Sequence, residues 1–447
     1  MCYNLIMKTI ATISTPVGKG AIAVVRMSGD KALEIASRIF STKKLASFKD
    51  ASPNYMYYGT ADIGKFKDNI LAVYFKAPHS YTGEDLVEFQ CHGGVRLVSE
   101  LLRRCIDLGC DVADKGEFTK RAFLNGKIAL SDAEGIIDMI NGESSAALNA
   151  GYRLSSGDIA RKITSLQDRL LDCVSHLEAS LDYPEEMEDE ARADGKAVSK
   201  DIADELKKLL NTSLTGGYIR QGINVAIIGQ ANVGKSSLLN ALLGKQRAIV
   251  TEIAGTTRDS LEETLEVKGV LLRLIDTAGI RETSDVVEAI GVERSIEAAK
   301  GSDIILFLTE AGRDLNDYEK DLISRFDKDK KILLVINKCD LYSDTRDGVR
   351  ISAKKGQGID ELKEKIVDTV IGTLDSSGDV ITNERHAQAI ARALESVTNA
   401  SLNIDTLPTE CVLIDLRDAY VALGEITGTT ATEEIVDRIF SKFCLGK

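Results

Sequence analysis

The chain has no tryptophan, and aromatic residues make up only 5% of its 447 positions. That shortage excludes no function by itself, but other absences exclude more. Lysine and arginine total 56 against 69 aspartates and glutamates, a formal net charge of −13. A broad nucleic-acid-binding surface needs clustered cations to meet phosphates, so the balance argues against one, though not against a local basic patch or a basic partner. The eight cysteines, at positions 2, 91, 105, 110, 173, 339, 411 and 444, contain no Cys-x-x-Cys pair. No apolar run approaches the ~20 residues that cross a bilayer. Residues 1–8 lack the apolar stretch and cleavage site of a secretory leader. Free thiols in a reducing cytoplasm are therefore expected.

What is present is the balance of a globular protein, 44% hydrophobic and 28% charged, at a length that needs two or three domains. Strands are expected over Thr9–Ser14, Ala21–Met27, Tyr55–Ile63 and Asn69–Phe75, with helices over Lys31–Phe40 and Val95–Leu108, making an α+β domain. From about 128 to 213 the period becomes helical, notably over Ile159–Leu181. The acidic stretch Glu185–Glu190 reads as an exposed helix start. Strands then alternate with helices: Ile223–Ile228, Val270–Ile275, Asp303–Leu308, Lys331–Ile336 and Gly348–Ile351. That alternation predicts a doubly wound, mostly parallel sheet. Helices return over Asn383–Asn403 and Ala431–Phe443. The expected fold is a multidomain α/β chain: residues 1–124 as an α+β domain, 125–219 and 376–447 as one discontinuous helical domain, and 220–375 as a P-loop insert.

Gly229-Gln-Ala-Asn-Val-Gly-Lys-Ser236 fits the phosphate-binding pattern G-x-x-x-x-G-K-[ST] between a predicted strand and a helix. Its backbone N–H groups and the helix N-terminus suit phosphate, Lys235 reaches the β- and γ-phosphates, and the Ser236 hydroxyl suits Mg²⁺. Asp276-Thr277-Ala278-Gly279 follows a second strand, where Asp276 falls near the metal and the Gly279 N–H near the γ-phosphate. Asn337-Lys338-Cys339-Asp340 closes a later strand, and Ser352-Ala353-Lys354 follows. The Asp340 carboxylate can accept from both N1–H and the exocyclic amine of guanine, which adenine cannot offer. Four motifs in order on strand ends identify a GTP site.

Expected nucleotide contacts are Asn232, Val233, Gly234, Lys235, Ser236 and Ser237; Thr251, Glu252, Ile253, Ala254, Gly255, Thr256 and Thr257; and the three later motifs. Ile280 follows Gly279 and cannot orient water, so the polar group for hydrolysis must come from elsewhere. Gly255–Asp259 offers a threonine to Mg²⁺. Asn232 is either a turn former or the ligand of a second, monovalent cation that neutralises developing charge.

Ser80-Tyr-Thr-Gly-Glu-Asp-Leu-Val-Glu88, Cys91-His-Gly-Gly94, Gly116-Glu-Phe-Thr-Lys-Arg-Ala-Phe-Leu-Asn-Gly-Lys127, Gly424-Glu-Ile-Thr-Gly428 and Phe443-Cys-Leu-Gly-Lys447 belong to no generic GTPase. With the nucleotide motifs, they make nearly the whole chain resemble the tRNA-modification GTPases called MnmE or TrmE. The resemblance implies a homodimer through N-terminal domains that bind a 5-formyl- or 5,10-methylene-tetrahydrofolate cofactor. It also implies an FAD-dependent partner, MnmG-like, and modification of C5 of the wobble uridine of certain tRNAs. By position, Arg26, Glu88, Lys127 and Lys447 match folate contacts. Asn232, Thr251, Ile253 and Thr256 match a K⁺ site, and Ser236 and Thr257 match Mg²⁺ ligands. Glu288 matches the glutamate that positions water, and Cys444 a cysteine suspected in the modification chemistry. Pro16-Val-Gly-Lys-Gly-Ala21 departs from the family's Pro-Pro-Gly-Arg-Gly-Gly, which puts that loop's fine geometry in question.

Without the resemblance, Arg26, Glu88 and Lys127 read as ordinary surface charges. Cys91-His92 beside two glycines reads as a turn for want of a second ligand pair. The ending Cys-Leu-Gly-Lys has the outline of a prenylation box but the wrong last residue. A ribosome-assembly switch and a folate-binding sensor with regulatory GTP turnover are the competing functions.

Overall fold

The computed structural model describes residues 8–244, 263–275, 299–326, 330–372, 380–444 and 446. The chain divides into two compact units: Met1–Ile137 with Arg153–Asp172 and Tyr420–Lys447, and Asp138–Tyr152 with Cys173–Ala419.

The first unit is built on a seven-stranded sheet in the order β3-β4-β5-β6-β2-β1-β7. Its strands are β1 (Ile10–Ile13), β2 (Ile22–Ser28), β3 (Phe40–Ser41), β4 (Met56–Asp62), β5 (Lys67–Phe75), β6 (Leu86–His92) and β7 (Asp111–Val112). All pairings are antiparallel except β1 with β7. Strand alternation divides the sheet's faces. Val25, Met27, Tyr57, Ala61, Ile70, Ala72, Val87 and Phe89 point to one side, where they share a core with the helices Ala32–Ile39 and Val95–Asp107. Val98, Leu101 and Cys105 are that second helix's buried stripe, spaced three and four apart. Strand β6 was not expected. Its alternation is plain, with Val87, Phe89 and Cys91 buried and Glu88 and Gln90 half-buried between them.

The same unit holds the helices Glu117–Leu124 and Glu433–Phe440, which meet the residues after Leu130 in a small cluster of Leu130, Ala133, Ile137, Val436, Ile439, Phe440 and Phe443. The expected helix over Ala431–Phe443 is shorter at both ends, because Thr432 accepts from Ile435 N as an N-cap and the chain turns at Ser441. Gly116, at φ +68°, sits so close to this helix that a Cβ would lie 2.7 Å from the Phe440 carbonyl oxygen.

In the second unit, the long helices Pro184–Asn211 and Glu384–Asn403 pack together, with Ile202, Leu206, Ala389, Ala393 and Val397 buried. Pro184 stands at the first turn beside Glu185 and Glu186, which the helix N-terminus favours, as the acidic stretch predicted. A helix over Thr409–Thr427, whose residues divide between the two units after Ala419, was not expected; its apolar residues are spread around the axis, so the sequence carries no clear stripe.

The insert is a six-stranded sheet in the order β13-β12-β11-β8-β10-β9. Its members are β8 (Ile223–Gly229), β9 (Glu263–Val267), β10 (Val270–Ile275), β11 (Ile304–Glu310), β12 (Lys331–Asn337) and β13 (Val349–Arg350). Every pairing is parallel except the β9–β10 hairpin, whose first strand was also missed. Both faces are covered. Val225, Ile227, Ile304, Leu306 and Leu308 pack under the helices Lys235–Leu243 and Ile359–Ile371, while Ala226, Ile228, Ile305 and Phe307 pack with Leu322 of the helix Asp317–Ser324. Burial on both sides accounts for the near-continuous apolar strands.

Candidate functional site

The phosphate loop leaves β8 at Gly229 and enters the helix Lys235–Leu243, so the first N–H groups of that helix have no intrahelical partner and face the loop. Asn232 has φ +63° and Gly234 φ +102°. Left-handed backbone at both positions folds the loop back on itself and turns successive N–H groups inward. A Cβ on Gly234 would stand 2.4 Å from Asn337 Nδ2, so glycine is required by a side chain from another strand. The Lys235 ammonium donates to the carbonyls of Gly229 and Gln230 at 2.7 and 2.8 Å, which points it along the loop. Asn232, Ser236 and Ser237 are exposed and Val233 is buried.

Asn337 joins the two ends of the site. Its Nδ2 donates to the Val233 carbonyl at 2.8 Å, and its Oδ1 accepts from Ala353 N at 3.0 Å. One buried amide thus fixes the phosphate loop and the Ser352-Ala353-Lys354 turn together. Next to it, Lys338 adopts φ +65°, and its ammonium donates to Glu310 and to the Asn232 carbonyl, the latter at 3.3 Å. A hydrogen bond from the Ser352 hydroxyl, with Lys355 beside it, holds the Asp340 carboxyl below its usual range. The group is therefore an anion at neutral pH and able to accept two donors from one base edge. Thr251–Thr257, Asp276–Gly279 and Glu288 lie outside the described residues.

In the first unit, Arg26 of β2 stands directly opposite Glu88 of β6 in the antiparallel register. Arg26 Nε donates to Glu88 Oε1 at 2.7 Å, and both side chains are about one-fifth exposed, 20% and 18%. The rings of Tyr81 and Phe118 lie 5.8 and 5.7 Å from the guanidinium carbon. Lys127 is exposed and donates to the Pro78 carbonyl at 3.0 Å. Three side chains, from Ser28, Arg121 and Asn125, hold the loop between these groups from beneath. Ser28 donates to Glu84 at 2.7 Å. The buried Arg121 donates to Glu84 at 3.1 Å, to Glu117 at 2.7 Å and to the Lys8 carbonyl at 2.9 Å. Asn125 donates to the Thr82 carbonyl at 2.7 Å. Much of the Ser80–Glu88 and Gly116–Lys127 patterning is therefore support for the loop.

The C-terminal tail reaches the same sheet: a Cβ on Gly446 would lie 2.7 Å from the Ile13 carbonyl oxygen. Ile13 faces Val25 in the β1–β2 pairing, one residue from the Thr12–Arg26 pair. Cys444 is exposed, and Lys447 lies outside the described residues. Cys91 is buried, with its thiol pushed up to about 11 by burial, and the His92 ring bonds Asp68 at 2.6 Å.

The arrangement can hold a nucleoside triphosphate by its phosphates and read its base, and it offers a separate cation–carboxylate pair with aromatic walls. Two family models match the chain: the MnmE helical domain over residues 130–444 and the GTP-binding protein TrmE N-terminus over residues 9–127. The tRNA modification GTPase MnmE of Clostridioides difficile (strain 630) is 39% identical, covering 98% of this chain and 99% of its own. That of Alkaliphilus metalliredigens (strain QYMF) is 41% identical with the same coverage. The solved structure of Era in complex with MgGDPNP and a 16S ribosomal RNA segment aligns with 39% of this chain and 66% of its own at 27% identity. Its TM-score is 0.26, too low to carry structural weight.

Proposed function

This chain belongs to the MnmE family of tRNA modification GTPases, and we propose that its GTP turnover is potassium-activated and serves C5 modification of the wobble uridine. GTP hydrolysis in tRNA modification, with Mg²⁺, follows from the family itself. The finer reading is a homodimer that works in the cytoplasm with an MnmG-like FAD protein. Together they install an aminomethyl or carboxymethylaminomethyl group using a tetrahydrofolate one-carbon unit. Residues 1–124 carry dimerisation and folate, 220–375 carry GTP, and 125–219 with 376–447 form the helical frame.

The phosphate loop fits its assigned contents. Lys235 and the loop N–H groups receive the phosphates, while Ser236, at the start of the helix, and Thr257 receive Mg²⁺. Asn232, Thr251, Ile253 and Thr256 would hold K⁺ through neutral oxygens, and the ion would supply positive charge beside the phosphates. Glu288 orients the attacking water, since Ile280 cannot. Asp340 reads guanine, and the Ser352 hydroxyl holds its carboxylate.

The observation that carries the folate reading is the cross-strand Arg26–Glu88 pair between two aromatic rings, with the C-terminal tail one residue away along the sheet. A guanidinium suits the glutamate carboxylates of a folate, and a carboxylate suits the N–H groups of its pterin. Each side chain already satisfies the other, so a bound folate must offer replacements for both. Calorimetry with 5-formyl-tetrahydrofolate tests this. Arg26→Ala and Glu88→Ala should each weaken binding at least about tenfold. Unchanged affinity in both removes the folate assignment and leaves the GTPase intact.

A further inference from the structure

We propose that Glu310 is a positioning residue for the nucleotide, holding Lys338 across the site, and that an Asp344–Arg346 ion pair holds the Glu310 backbone in turn. Glu310 is the last residue of β11, level with Asn337 of β12 in the parallel register. Its carboxylate accepts from the Lys338 ammonium, which also donates to the Asn232 carbonyl at 3.3 Å. Lys338 thus begins beside the base-reading Asp340 and ends on the phosphate loop, and its stem spans the two ends of the site. A lysine stem is flexible, with several rotatable bonds to fix. Glu310 is the anion that fixes this one.

The support beneath is a set of hydrogen bonds to the end of β11. Arg346 Nη2 donates to the Glu310 carbonyl at 2.6 Å and to Asp344 Oδ2 at 2.6 Å. Asp344 also accepts from Gly312 N at 3.1 Å, so the chain just after β11 is pinned by the same carboxylate. The Asp344 side chain is 4% exposed, whereas Glu310 and Lys338 are about one-third exposed, 32% and 36%. The outer pair is thus more open to solvent than the Asp344 carboxylate and the Arg346 guanidinium behind it.

This rests on the reading of Asn232–Ser236 and Asn337–Asp340 as the GTP site, and the test separates the two. Dissociation of a fluorescent GDP analogue is measured by stopped flow on the full chain for Glu310→Gln, Lys338→Met, the double variant and Asp340→Asn. An exposed ion pair of this kind supports about threefold to fivefold faster release in Glu310→Gln. A rise in KM for GTP larger than the fall in kcat should accompany it, and Glu310→Asp should restore most of the loss. In the Lys338→Met background, adding Glu310→Gln should change nothing further, because the charge acts through the lysine. Unchanged release in Glu310→Gln, or effects that multiply in the double variant, would overturn the proposal. If Asp340→Asn also leaves nucleotide binding untouched, it is the GTP site that has been misassigned.

Discussion

A single methyl group tests how the phosphate loop is packed. At Gly234 a side chain would meet the Asn337 amide at 2.4 Å in a left-handed backbone conformation. Gly234→Ala should therefore displace the amide that ties Val233 to Ala353. We expect binding of a fluorescent GTP analogue to weaken at least about tenfold, with a stability loss of about 1–3 kcal/mol in chemical unfolding. Cysteine chemistry gives a second test at this scale. Burial pushes Cys91 and Cys173 up to about 11 and Cys110 up to about 12, while Cys411 and Cys444 are exposed. Brief iodoacetamide treatment at pH 8, read by peptide mass spectrometry, should modify Cys411 and Cys444 and spare the other three until the chain unfolds. The phosphate and guanine motifs were legible because their chemistry admits few residue types at fixed spacing. Asn337's double hydrogen bond and the Arg26–Glu88 pair were not, since each depends on which strands lie side by side.

At the scale of elements, the helix Asp317–Ser324 owes its start to Asn316 and Glu319, which form a reciprocal capping box. Glu319 is fully buried and also receives Arg313 at 2.7 Å, and Asn316 accepts from Gln230 of the phosphate loop at 3.1 Å. Glu319→Ala should cost about 1–3 kcal/mol, since it removes the carboxylate half of the capping box and leaves Arg313 without its buried partner. Urea unfolding of the variant checks that value. Arg346 holds the Asp344 carboxyl well below the usual carboxylate range. Its contribution is present above the ordinary value and disappears as pH falls through the depressed one. The thermal midpoint of Asp344→Asn should therefore lie below that of the intact chain at pH 7, and the gap should narrow only below about pH 4. Long periodic helices and the doubly wound strands were readable in advance. Strands β6 and β9 and the helix Thr409–Thr427 were not: β9 is a five-residue edge strand with only two apolar residues, and the helix is apolar on more than one side.

For the whole molecule, interruption of one helical frame by an α/β insert was readable from the change of period, and the helical family model running from 130 to 444 spans that insert. If Asn232 serves a monovalent cation, GTP turnover should be several-fold faster in KCl than in NaCl at equal ionic strength. Equal rates from protein confirmed as a dimer would remove potassium from the scheme. The most direct test of the central claim is mass spectrometry of tRNA nucleosides from cells lacking this gene and from cells with it restored. C5-aminomethyl-type uridines should disappear and return with the intact chain, and should fail to return with Lys235→Ala. Nucleosides that do not change on deletion would contradict the account and leave a GTPase whose RNA target lies elsewhere.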